Sequence, residues 1–222
     1  MLNILCGYIE SSMPSTGVLQ TRTGLTAKVD QDGHFLPFIG NTAVFLLDED
    51  TKRSIAPLQE ALYAHAGSLL AEKLSPDTFH LTLHDLANGP PTPETRLWMV
   101  NTAAAAPQIL NTIRTEDSAP LSMKATWVFN MVNTSIVLGA EPADDTSRER
   151  LSRMYAQLHP VVPLNYALTP HITLAYFRPG CYTQADLAPL REALKAVDLT
   201  FSLRMENLVF QNFSDMNHYE TV

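Results

Sequence analysis

The chain has 222 residues, 45% hydrophobic and 17% charged, which suits one sizeable globular domain or two small lobes sharing a core and argues against disorder. A formal charge of −8 and an isoelectric point near 5.3 exclude long nucleic acid held on a general basic surface, because phosphate neutralisation normally supplies most of that affinity, but leave open a small or short-ended substrate. Two cysteines, Cys6 and Cys181, are too few for a disulfide framework or a structural zinc cage and fit a reducing compartment, read simply as the cytoplasm.

The start, MLNILCGYIESS, lacks a basic region and is broken by Gly7 and Glu10, so it reads poorly as a signal peptide. No apolar run approaches the roughly 18 to 20 residues that span a bilayer, so the expectation is a soluble protein without a membrane partner. Residues 1–40, rich in Gly, Ser, Thr and Pro, read as an N-terminal extension of short extended pieces joined by an Asp32-Gly33 turn. NTAVFLL (41–47) is a strand by its β-branched and aromatic content. From about 53 to 71, Ile55, Leu58, Leu62, His65 and Leu69 mark one helical face, on which His65 is expected to pack. After a Ser75-Pro76-Asp77 turn, FHLTLHDL alternates apolar Phe79, Leu81 and Leu83 with His80, Thr82 and His84, the pattern of a strand with one buried and one polar face.

A helix then starts at Thr92-Pro93 and should kink or end at Pro107. LSMKATWVFNM (121–131) is the strand that closes the first half. The second half runs SIVLGA (135–140) as a strand, a helix over about 144–158, the strand PHITLAYF, and a helix from Thr183 through Val197 with Asp186 in capping-box position. FSLRMENLVF (201–210) reads as one answering strand, with an edge strand near His218. Each half is thus strand, helix, His-Thr strand, helix, strand. The expected fold is α+β: a bilobal pseudo-two-fold duplication within 41–222, its lobes at about 41–131 and 135–222, with two antiparallel-rich sheets around a central cleft and helices on the outer faces.

On a strand, residues i and i+2 point the same way about 6.6 Å apart, so His80 and Thr82 share a face, as do His171 and Thr173. If the two strands are equivalent, the imidazoles stand on opposite sides of one cleft. Cleaving a phosphodiester without a metal needs a base for the attacking oxygen and an acid for the leaving one, and histidine titrates where it can be either. A hydroxyl beside each can donate a hydrogen bond to the non-bridging oxygens.

These paired motifs, HLTL (80–83) and HITL (171–174), resemble those of the 2H phosphoesterase superfamily, which includes the RNA 2′,5′-ligases and 2′,3′-cyclic nucleotide phosphodiesterases. DGHFLPFIGNT (32–42) resembles a little-studied bacterial branch of it. The resemblance implies a bilobal fold, His80 and His171 as acid and base in unspecified order, Thr82 and Thr173 as phosphate ligands, no metal or other cofactor, and a small nucleotide or RNA-end substrate carrying a 2′,3′-cyclic or 2′-5′ bond.

Other residues carry less. HxxxH spacing at His80 and His84 spans about 13 Å on a strand, too far for two ligands of one zinc ion, so His84 reads as a cleft-rim or surface residue. Alternation sends Tyr176 into the core unless a bulge intervenes. Asn41 reads equally as cleft or turn residue, Arg178 as a solvated arginine, and Trp127 as a stacking platform if its side of the strand faces the cleft. His34, His159 and His218 join no constellation. Two functions remain: a phosphoesterase, or a module that binds a nucleotide or RNA end in the same cleft without turnover. No GxSxG elbow supports a serine hydrolase.

Overall fold

The structure, a computed structural model, describes residues 12–222; Cys6 and the first residues of the extension lie outside the described residues. Its strands in chain order are β1 (Leu19–Gln20), β2 (Ile39–Leu46), β3 (His80–Gly89), β4 (Leu121–Met131), β5 (Ser135–Pro142), β6 (His171–Tyr176), β7 (Cys181–Tyr182), β8 (Thr200–Leu203), β9 (Leu208–Asp215) and β10 (His218–Thr221). The α-helices are α1 (Glu49–Ala66), α2 (Pro93–Glu116), α3 (Asp145–Leu158) and α4 (Gln184–Ala193). No described helix is long and apolar enough to cross a membrane.

Helix starts follow capping chemistry. Asp48, Thr92, Asp144 and Thr183 each accept a backbone N–H of the first turn, and Thr183 with Asp186 closes a full capping box. Asp48 therefore starts α1 four residues before the apolar stripe suggests. Pro107 lies inside α2, which runs on to Glu116, since a single missing N–H removes one bond from a long ladder. His65 is exposed and its Nδ1 lies 2.7 Å from the Ala61 carbonyl, so it does not pack in the core.

Two four-stranded antiparallel sheets form, ordered β10-β9-β2-β3 and β6-β5-β4-β8, and a short third pairs β1 with β7. FSLRMENLVF is not one strand: a 3₁₀ turn at Met205–Asn207 splits it, so β8 extends the second sheet beside β4 while β9 enters the first beside β2. The last strand of each half thus lies in the other half's sheet: β4 pairs with β5, and β9 pairs with β2. This exchange puts β3 and β6, the motif strands, at corresponding edges, where they approach each other. α2 packs on β2, β3 and β9, α3 on β4 and β5, and α1 against α4 and β6. Leu81, Leu83, Ile172 and Leu174, the apolar partners within the motifs, are fully buried.

Candidate active site

His80, Thr82, His171 and Thr173 line one cleft of about 700 Å³. A smaller hollow of about 530 Å³ beside the β9–β10 hairpin also reaches His80 but contains no other motif residue. The larger cleft is the one that joins the two halves.

Each imidazole is fixed by its own strand entry. Nδ1 of His80 lies 2.7 Å from the Thr78 carbonyl and Nδ1 of His171 lies 2.7 Å from the Thr169 carbonyl. Carbonyls only accept, so Nδ1 carries the proton in the neutral ring and Nε2 is left as the free base. The repeat is therefore longer than the four-residue motif: TFHLTL and TPHITL share Thr-x-His-x-Thr-Leu. Burial in the cleft holds the His80 imidazole down to about 4, with the Thr78 carbonyl opposing the shift, a charged His171 adding to it and Asp85 opposing it. Burial also lowers His171, against the Thr169 carbonyl and Asp85.

The same irregularity interrupts both motif strands. Opposite β2 the register jumps from Ala43↔His84 to Val44↔Thr82, leaving Leu83 as an extra residue; opposite β5 it jumps from Ile136↔Ala175 to Val137↔Thr173, leaving Leu174. A one-residue bulge inverts the alternation beyond it. His84 touches the cleft lining but is almost wholly buried there, 1% exposed, with ring centroids 5.0 Å from Tyr155 and 5.6 Å from His159. Asp85 and Tyr176, five residues after His80 and His171, also line the cleft. Tyr176 is accordingly a cleft residue, not core. The side-chain amide of Gln59, from α1, donates to the carbonyl of the bulged Leu174 at 2.9 Å and to Leu74 at 3.0 Å.

Solved structures share this architecture. A conserved protein of unknown function from Agrobacterium tumefaciens superposes with a TM-score of 0.62 at 18% identity, over 91% of this chain and 92% of that one. TT0787 of Thermus thermophilus superposes with a TM-score of 0.51 at 14% identity, over 82% and 94%. LigT of E. coli, complexed with 3′-AMP, also gives 0.51 at 14% identity, over 83% and 95%. The chain has the LigT-like fold. The resemblance to the 2H phosphoesterase superfamily is borne out at the level of that fold. No family model matches the sequence, and no curated protein matches it.

Around the paired histidines stand residues that the sequence did not single out. His80 meets Tyr219 of β10 edge-on at 5.1 Å between centroids, Tyr219 lies 5.4 Å from Phe213 of β9, and Phe213 stacks on Phe38 at 6.4 Å, forming a continuous aromatic wall. Trp98 of α2 and Tyr166, whose hydroxyl donates to Asp85 at 2.7 Å, line the cleft elsewhere. The β4–β5 hairpin contributes Val132, held at φ 48°, in the left-handed region that a β-branched residue rarely occupies; the Asn130 carboxamide pins the turn by accepting from the Asn133 N–H at 3.0 Å.

The remaining candidates fall outside the cleft. Asn41 is buried, donating to the Met99 carbonyl and accepting from Ala87 N–H and the Thr102 hydroxyl, so it joins β2 to β3 and α2. Trp127 is part-exposed on a bulged stretch of β4 and bridges to Ala196. Arg178 is not freely solvated: it is half-buried, with its guanidinium against Gly33. His34 and His218 pair with Asp30 and Asp215 on the surface, and His159 packs behind β3. Cys181 is exposed and free.

Proposed function

We propose that the protein is a metal-independent phosphoesterase that opens a 2′,3′-cyclic phosphate or a 2′-5′ phosphodiester on a nucleotide or RNA end. The observation that carries this reading is the matched pair of imidazoles in one cleft, each with Nδ1 committed to a carbonyl and Nε2 free. Paired Nε2 atoms can divide the work: the neutral ring takes the proton of the attacking water or hydroxyl as its oxygen bonds to phosphorus, and the protonated ring gives its proton to the oxygen that leaves. Burial lowers both rings, and a charged His171 further lowers His80, so the pair resists holding two protons at once and one ring is left neutral to act as the base. Thr82 and Thr173 donate to the non-bridging oxygens as charge builds there.

Burial suits this chemistry, since it excludes competing water and strengthens hydrogen bonds to the phosphate. A nucleotide substrate is supported by the aromatic wall beside His80, which offers π-faces to a base, and by LigT having been solved with 3′-AMP.

The test is turnover of nucleoside 2′,3′-cyclic phosphates and a 2′-5′-linked dinucleotide in the presence of a chelator. His80→Ala and His171→Ala should each lose about 10² to 10⁴ in kcat/KM, and the double variant should lose less than the product of the two. Thr82→Ala and Thr173→Ala should lose about 10 to 10³. Tight binding of these nucleotides without turnover by the wild type would replace the enzyme with a binding module; activity surviving loss of either histidine would end the paired mechanism.

A further inference from the structure

The segment preceding β2 is part of the cleft. Leu19, Leu25 and Val29 anchor it in the core, and Arg22, Lys28 and Phe38 are thereby carried to the cleft lining. In a chain of net charge −8, the charged residues lining the cleft are Arg22 and Lys28 against Asp85, two cations to one carboxylate, leaving the histidines aside.

Lys28 is held in an unusual way. Its ammonium lies 4.9 Å from the Phe38 ring centroid and 5.7 Å from that of Tyr176. Among the described residues no carboxylate comes within ion-pairing distance of it, and no hydrogen bond to it is formed. Burial pushes its pKa down and Asp85 pulls it back up. An ammonium with three donors, placed by aromatic faces that accept none of them conventionally, is arranged for an acceptor from outside the chain. Lys28 rests on Phe38 and Tyr176 whereas His80 rests on Tyr219, and successive ring contacts through Phe213 connect the two, so the cation and the His80 imidazole sit on different members of the wall.

We propose that Lys28 is a substrate-binding residue for a second phosphate, separated from the reacting one by the nucleoside, so that the preferred substrates are nucleotides bearing two phosphate groups. This rests on the phosphoesterase reading, which locates the first phosphate between His80 and His171. The second phosphate is either the 5′-phosphate of a mononucleotide or the internal diester of an RNA end; both present the same oxygens.

The experiment measures binding, so it does not depend on turnover. Calorimetry compares adenosine 3′-phosphate, adenosine 3′,5′-bisphosphate and a diadenosine ending in a 3′-phosphate, with wild type, Lys28→Met and Lys28→Arg. Methionine keeps the apolar stem against Phe38 and Tyr176 without the charge. Wild type should bind at least one two-phosphate ligand about ten- to a hundredfold more tightly than 3′-AMP, the range of one charge-assisted hydrogen bond. Lys28→Met should bring that ratio close to one, and Lys28→Arg should keep most of it. A gain with the bisphosphate identifies a mononucleotide, and a gain with the dinucleotide alone identifies an RNA end. If 3′-AMP binds and neither ligand gains, or the gain survives in Lys28→Met, Lys28 reads no second phosphate and the phosphoesterase reading stands. If none of the three ligands binds the wild type, both readings fall together.

Discussion

Acidification should destabilise this protein in a way that one side chain accounts for. A free histidine protonates near 6.5, whereas the folded cleft holds His80 at about 4. Between those values the unfolded chain binds a proton that the native state refuses, so unfolding is favoured as pH falls; the stability present above 6.5 is lost progressively down to about 4 and no further. Linkage between the two constants gives a loss of about 2 kcal/mol from His80 alone on going from pH 7.5 to pH 5. The assay is urea unfolding at the two pH values in phosphate-free buffer of constant ionic strength, for wild type and His80→Gln. Glutamine cannot titrate, so the drop in unfolding free energy should be smaller in His80→Gln by about 2 kcal/mol, while the contributions of His171 and His84, both also lowered by burial, remain in each protein. Equal drops in the two proteins would refute the claim that the folded cleft keeps His80 neutral near neutrality.

Two further outcomes concern the frame that holds the cleft. Gly40→Ala would drive a methyl into the Phe213 ring and the Ala87 carbonyl; the carbonyl is backbone of β3 and cannot swing aside as a side chain can, so thermal unfolding should report a loss of about 2 kcal/mol or more, and 3′-AMP affinity should fall as Phe213 shifts. Asn41→Ala leaves the buried Ala87 N–H without its acceptor, while the Thr102 hydroxyl keeps the Trp98 and Met99 carbonyls; denaturant unfolding should show a loss of about 1 to 3 kcal/mol, and an unchanged midpoint would mean that water replaces the bond to Ala87.

Much of the site was legible in the sequence because the duplication wrote it twice. His80 with Thr82 and His171 with Thr173 follow from period-two alternation, and setting TFHLTL on TPHITL would also have exposed Thr78 and Thr169, whose carbonyls fix the rings. What alternation could not carry was the phase beyond Leu83 and Leu174. A bulge has no composition of its own here, and without it Asp85 and Tyr176, both in the cleft lining, are sent to the other face of their strands. The split of FSLRMENLVF was hidden for a related reason: it reads as one apolar run, and only the turn at Met205–Asn207 assigns its ends to different sheets. Lys28 and Phe38 had no periodic signal at all, since they lie on irregular backbone whose place is set by Leu19, Leu25 and Val29 sinking into the core.

The exchange of last strands between the two sheets also sets an order of completion as the chain leaves the ribosome. The second sheet has all four strands once residue 203 has emerged, whereas β2, among the earliest strands made, keeps one edge unpaired until Leu208–Asp215 arrives to meet it, Gly40 opposite Phe213 and Phe45 opposite Leu208. Until then the β2–β3 pair is a two-stranded ribbon with an open, largely apolar edge, the kind of surface that invites pairing with another chain. The aromatic wall beside His80 takes Phe213 and Tyr219 from β9 and β10, so the cleft closes only once both have emerged, and a nascent chain short of β9 holds His80 without the surface against which its substrate would rest.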